Sequence, residues 1–202
     1  MVEALRRGLR ATGEGERGSN KMISEKLAKA LSDQVNAELY SAYLYLSMSA
    51  YAEDSGLNGI ANWLYVQSRE EMAHGINMYQ FILDRDAVPS FPAIDPPDAN
   101  YTGIDDIFNK VLAHERKVTA GINNIATLAM KENDHASYQF IMWYVNEQVE
   151  EESTADDIID RINLIGEDKG KLLHLDNELA VRMYTNPFPT NGKLSGAAAS
   201  VV

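Results

Sequence analysis

Cysteine is absent from the 202 residues, which excludes a disulfide framework, a zinc–thiolate site and an iron–sulfur cluster. Long apolar runs are missing too. No stretch approaches the roughly 20 residues that cross a bilayer, so no membrane partner is expected. Basic residues are in deficit, 18 Lys and Arg against 30 Asp and Glu, for a formal net charge of −12. That balance argues against a phosphate-binding surface and hence against nucleic acid as a partner. The opening Met1-Val2-Glu3-Ala4-Leu5-Arg6-Arg7 lacks the apolar core of a secretory signal. With no cysteine to oxidise, a cytoplasmic location is the expectation.

What is present is ordinary in amount, with 45% hydrophobic and 24% charged residues, and enough chain for one domain with a sizeable core. An acidic surface is a common route to solubility, and it also concentrates cations nearby. The distribution along the chain is more telling. Residues 1–22 are rich in Gly, Arg and Glu without apolar periodicity, which predicts a disordered extension. Residues 185–202, with Pro187, Pro189 and Gly192, predict a flexible tail, leaving 23–184 as the folded domain.

Within that domain the pattern is helical. The spacing predicts helices over about 24–52, 58–85, 104–131 and 136–165, with Ser24 as a cap and Gly56 and Gly166 as stops. A short fifth helix is expected over 169–183. Pro89, Pro92, Pro96 and Pro97 prevent a continuous helix between 87 and 103. Short connections favour antiparallel neighbours, whereas the long proline-rich one can run the length of a bundle. The fold class is therefore all-α: a four-helix bundle of two hairpins joined by a long crossover, with a fifth helix appended.

Alternating steps of three and four give each helix its inward seam. The seams read Leu27, Leu31, Gln34, Glu38, Ser41, Tyr45, Met48, Ala52; then Ile60, Leu64, Gln67, Glu71, His74, Met78, Phe81; then Ile104, Phe108, Val111, Glu115, Val118, Ile122, Ile125; then Ile141, Tyr144, Gln148, Glu151, Ala155, Ile158, Ile162, Ile165. Each is apolar towards its ends and acidic near its middle. Packed side by side, Glu38, Glu71, Glu115 and Glu151 converge at one level, with His74, Gln148 and Tyr45 beside them. Two carboxylates 4 Å apart repel by ~4 kcal/mol at an effective dielectric of 20. Buried and unpaired, four would protonate or open the core. No lysine or arginine stands on these seams, so a pair of divalent cations is the expected remedy. Carboxylate oxygens with one imidazole suit iron or manganese better than copper or structural zinc.

Singly, these signals are weak. Glu71 and His74 at i and i+3 commonly form a solvated helix face, Glu115 would pass for an exposed acid, and the run from Glu147 to Glu152 for a hydrated one. Their matching depth on four helices is what carries weight.

At these residues the sequence resembles the bacterial and archaeal non-haem ferritins. The resemblance spans about 22–184 and rests on Asn36-Ala37-Glu38-Leu39-Tyr40-Ser41-Ala42-Tyr43-Leu44-Tyr45, Glu70-Glu71-Met72-Ala73-His74, His114-Glu115 and Trp143-Tyr144-Val145-Asn146-Glu147-Gln148-Val149-Glu150-Glu151-Glu152. It implies a ferroxidase centre in which Glu38, Glu71 and His74 hold one iron and Glu115 and Glu151 the other. Glu71 would bridge the pair and Gln148 lie close by. It further implies a third, transit iron site at Glu70, Glu147 and Glu150, and electron-supplying aromatics at Tyr45 and Trp143. Two Fe(II) ions would be oxidised by dioxygen or peroxide, and ferric oxide-hydroxide stored in a homo-oligomeric shell, usually of twenty-four subunits. Gln148 and Glu151 stand where bacterioferritins carry a second Glu-x-x-His, so haem is not expected although Met72 matches their haem-binding methionine. The alternatives are a storage or scaffold subunit without fast catalysis, and a di-metal oxygenase or reductase subunit.

Overall fold

The computed structural model describes residues 22–188. Their regular structure is five helices with no strand: α1 (Glu25–Asp54), α2 (Asn58–Asp84), α3 (Ile104–Lys131), α4 (His135–Ile165) and α5 (Lys169–Leu179). The helix starts follow from capping chemistry. The Ser24 hydroxyl accepts a hydrogen bond from the Leu27 amide at 3.0 Å, and Asp134 accepts from the Ser137 amide at the start of α4 at 3.1 Å. At the stops, Gly56 and Gly166 take φ of +76° and +57°, a left-handed turn that costs glycine little. Asn133 makes the same turn between α3 and α4 at φ +55°.

Helix α1 packs along α2, α3 along α4, and α1 also touches α3. The α2–α4 gap is wider and is spanned by long polar side chains, Gln67 to Glu151 at 2.7 Å and Asn77 to Tyr144 at 2.8 Å. The connection from 85 to 103 runs along α1: the Ser90 amide donates to the Ser32 hydroxyl near one end, and Tyr101 donates to Ser47 towards the other. This is the long crossover expected from the prolines. Arg85 ties the end of α2 to the start of α4 through Asp134, at 3.0 and 3.1 Å.

The core is divided in two. One cluster includes Tyr45, Met48, Ile60, Leu64, Phe108 and Val111; the other includes Leu27, Leu31, Met78, Ile82, Ile122 and Ile141. Each large apolar side chain fully withdrawn from water contributes ~1.5–3 kcal/mol. These clusters hold a polar layer between them at fixed height.

Three expectations need correction. The fifth helix ends at Leu179, not Met183. Beyond it the Asn62 side-chain amide donates to the carbonyls of Ala180 and Arg182, at 3.2 and 2.9 Å, and draws the chain onto α2. On α2, Ile82 rather than Phe81 is the buried seam residue. A straight helix drifts relative to a strict seven-residue repeat, and Phe81 instead stacks on Phe140 with ring centres 3.9 Å apart. Finally, Ile104, Ile162 and Ile165 are only half-buried, because the seams open towards the bundle end. The extension expected at 1–22 lies outside the described residues except for Met22; of 185–202, only 185–188 are described. There Phe188 packs its ring 4.7 Å from that of Trp143 and 5.9 Å from that of His74.

Candidate metal centre

The polar layer collects one glutamate from each long helix. Glu38, Glu71, Glu115 and Glu151 are 1%, 2%, 1% and 8% exposed, and His74 is 2%. Glu38, Glu71 and His74 bring one ligand atom each to within 4.8 Å of one another. His74 Nδ1 lies 3.6 Å from Glu71 Oε2 and 3.9 Å from Glu38 Oε2, too far for a hydrogen bond and close enough to share an ion. Among the described residues, Glu38 Oε2 and His74 Nε2 are buried with no hydrogen-bond partner. Native interiors leave few such atoms, and a shared cation is a natural occupant for the Glu38 oxygen.

Each of the four acids also has an oxygen that meets a fixed donor. Gln34 donates to Glu38 at 2.8 Å and Gln148 to Glu115 at 3.0 Å. The Tyr45 hydroxyl also donates to Glu115. Gln67 donates to Glu71 at 3.2 Å and to Glu151 at 2.7 Å, linking acids on two helices. Gly121 on α3 lets Gln34 in, since a Cβ there would lie 2.4 Å from the Gln34 amide oxygen.

Burial dominates the electrostatics. It raises the Glu38 carboxyl well above the ordinary range, with Glu71 adding to the shift and His74 opposing it. Glu71 is raised well above its usual value by burial and then by Glu115 and Glu151. Burial and Glu115 push Glu151 up to about 8. Burial also raises Glu115, against the opposing hydrogen bonds from Tyr45 and Gln148. Without a cation this layer holds protons, and a metal ion would replace them.

Of the residues expected at a third site, Glu70 and Glu147 are half-buried beside the centre, each with its carboxyl raised by burial. Glu150 is exposed, though its charge reaches Glu147. Trp143 sits 5.5 Å from the His74 ring. Met72 is 43% exposed and lines a groove on the outer face of α1 and α2. Sequence reasoning gave no role to Gln34 and Gln67; their place on the seams, four residues before Glu38 and Glu71, was the available signal. Arg182 was missed altogether: it donates to Gln67 at 2.7 Å and pairs with Glu70.

Two hairpins, a full-length crossover and a buried carboxylate–histidine group at mid-height define the ferritin-like class of helical bundle. The sequence model of the ferritin-like domain matches residues 28–165. The chain belongs to the ferritin family. It is 39% identical over 163 residues to the bacterial non-heme ferritin of Staphylococcus haemolyticus, covering 81% of this chain and 98% of that one. Against the corresponding protein of Staphylococcus aureus strain USA300 the figure is 35% with the same coverage. An open pore ferritin from the archaeon Archaeoglobus fulgidus superimposes with a TM-score of 0.78 at 46% identity, over 80% of this chain and 99% of that one. A humanized archaeal ferritin gives 0.80 at 47% identity, over 81% and 99%. No helix among the described residues is long and apolar enough to cross a membrane.

Proposed function

We propose that this protein stores iron and is a ferroxidase: it takes up two Fe(II) ions per chain as substrate, oxidises them with dioxygen or peroxide, and passes Fe(III) to a ferric oxide-hydroxide mineral inside a shell of its own copies. The observation that carries this reading is the buried Glu38–Glu71–His74 group, with Glu115 and Glu151 buried in the same layer and Gln67 donating to both Glu71 and Glu151. Glu38 and His74 would hold one ion, Glu115 and Glu151 the other, and Glu71 would face both. Membership of the ferritin family supports iron as the metal.

The protein's part in the chemistry is positional. Gln34, Gln67, Gln148 and Tyr45 fix the free carboxylate oxygens by donating to them, so each acid offers its other oxygen or lone pair to an ion in a preset direction. Hard carboxylate ligands favour Fe(III) over Fe(II) and so draw the oxidation forward. The apolar clusters on either side restrict water, and Tyr45, hydrogen-bonded to Glu115, stands where it can give up an electron. Glu70 and Glu147 offer the product a path out of the bundle interior towards the mineral, with Glu150 in solvent beyond. An exposed apolar face supports self-association: Tyr43, Leu46, Tyr65, Met72 and Ile76 are 43–52% exposed and line a groove of about 810 Å³. Twenty-four copies, a cytoplasmic location and the absence of haem belong to this same reading.

Aerobic addition of Fe(II) to the assembled protein tests it, followed by oxygen uptake and ferric absorbance. Rapid oxidation is expected in the wild type, with the rate falling to that of free Fe(II) in a Glu71→Ala/His74→Ala double variant. Equal rates would refute the proposal.

A further inference from the structure

Among the described residues, Arg182 is the cation that sits beside the acidic layer, and no helix seam supplies it. Arg182 follows α5 and reaches α2 across a stripe made by Asn62, Trp63, Gln67 and Glu70. One guanidinium nitrogen donates to the Gln67 amide oxygen at 2.7 Å and the other pairs with Glu70. The guanidinium carbon stands 4.6 Å from the centre of the Trp63 ring. Its side chain is 26% exposed and that of Glu70 17%, so the pair is screened from water more than a surface ion pair is. The Arg182 backbone is anchored separately by Asn62, and Tyr184 just beyond it packs under Arg69 at 4.1 Å.

The placement has two consequences. Arg182 holds the Gln67 amide the right way round, because an oxygen committed to the guanidinium leaves the NH2 group for Glu71 and Glu151. Its charge also reaches outward: it lowers the carboxyls of Glu70, Glu147 and Glu151 against the burial that raises them. A metal ion approaching Glu70 and Glu147 therefore meets a carboxylate already paired and a positive charge already in place.

We propose that Arg182 is the resident counter-ion of the Glu70–Glu147 mouth, that it competes with metal ions for Glu70, and that it leaves Glu70 when an ion binds there. The inference rests on the di-metal reading of the centre and adds a gate at its edge. Arg182 is a positioning residue; it touches no ion in the two inner positions.

Calorimetric titration of the assembled full-length protein with Zn(II), which undergoes no redox chemistry, tests this. The wild type should bind two ions per chain tightly and a third weakly. In Arg182→Gln, whose strap keeps its Asn62 anchor, the third ion should bind about tenfold tighter or more, ~1.4 kcal/mol. Arg182→Lys keeps the charge and should stay at the wild-type affinity. The tightened third class should vanish in the Arg182→Gln/Glu70→Gln double variant. Unchanged or weaker third-ion binding in Arg182→Gln overturns the proposal, and so does equal tightening in Arg182→Lys. The first two ions report on the centre and the third on Arg182, so each claim fails by its own count. Wild-type crystals soaked in Zn(II) give a check that needs no variant: an ion on Glu70 and Glu147 should come with Arg182 turned away, and an ion there beside an intact Arg182–Glu70 pair overturns the gate.

Discussion

Replacing Glu71 by Gln should make the metal-free protein more stable and cripple its response to metal. Glu71 faces a Glu38 oxygen within 4.8 Å, and Glu115 and Glu151 also act on it. At 4.8 Å and an effective dielectric of 20, two ionised carboxylates repel by about 3.5 kcal/mol, which either can relieve by taking up a proton instead. Glutamine keeps the shape and an oxygen to accept the Gln67 hydrogen bond, so the change removes charge with little loss of packing. The sign depends on pH. The buried acids titrate above their ordinary value, so the folded state binds more protons than the unfolded one over that interval. Stability of the metal-free wild type therefore falls as pH rises from about 4.5, the ordinary glutamate value, through about 8, where Glu151 ionises. The advantage of Glu71→Gln should be nil near pH 4 and reach about 1–3 kcal/mol at pH 8. Zn(II) at a hundredfold excess over its dissociation constant should stabilise the wild type by about 2.7 kcal/mol per site, and the variant by much less. Denaturant unfolding at fixed protein concentration, with chelator or with Zn(II), measures both effects. A metal-free Glu71→Gln less stable than wild type at pH 8, or an undiminished zinc effect, would refute the reasoning.

Three other outcomes follow from the same geometry. Zn(II) binding at pH 7 should release protons, because the buried acids hold them in the metal-free state; calorimetry in buffers of differing ionisation enthalpy would show it, and none released would contradict the shifts given above. Tyr45→Phe leaves Gln148 as the side-chain donor to Glu115, so the second of two Co(II) ions should bind about tenfold more weakly or worse while the fold survives; unchanged second-ion affinity in Co(II) titrations would count against that hydrogen bond. Gly59→Ala places a methyl 1.7 Å from the Asp176 carbonyl oxygen, where the Ile60 amide donates to the Asp176 carboxylate at 2.8 Å. It should undock α5 and speed hydrogen exchange over 169–188, and unaltered exchange would show that the bundle yields there.

Much of this molecule was legible because its signals are local. Ser24, Gly56, Gly166 and the prolines act within a few residues of themselves, and helix ends fell within about two residues of expectation except at α5. The acids were legible for a different reason: burial is periodic along a helix, so a glutamate on an apolar seam marks itself. All residues expected on the α1 seam are buried. Periodicity fails where the chain leaves the helix. Nothing local to Arg182 tells that Asn62 will capture its backbone or that Glu70 and Gln67 wait beside it. The seams lacked a cation, as expected, and the cation came from outside them. Glu150 shows what a run of acids leaves open: it adjoins Glu147 and Glu151 in sequence, yet one step along α4 sets it in solvent while Glu151 is buried.

Anomalous diffraction at the iron edge, from crystals loaded with Fe(II) under anaerobic conditions, would test the central claim most directly. Two peaks should appear within the bundle, one against Glu38, Glu71 and His74, the other against Glu71, Glu115 and Glu151. Iron found only on the outer acids, with these five side chains bare and hydrogen-bonded to one another, would contradict it.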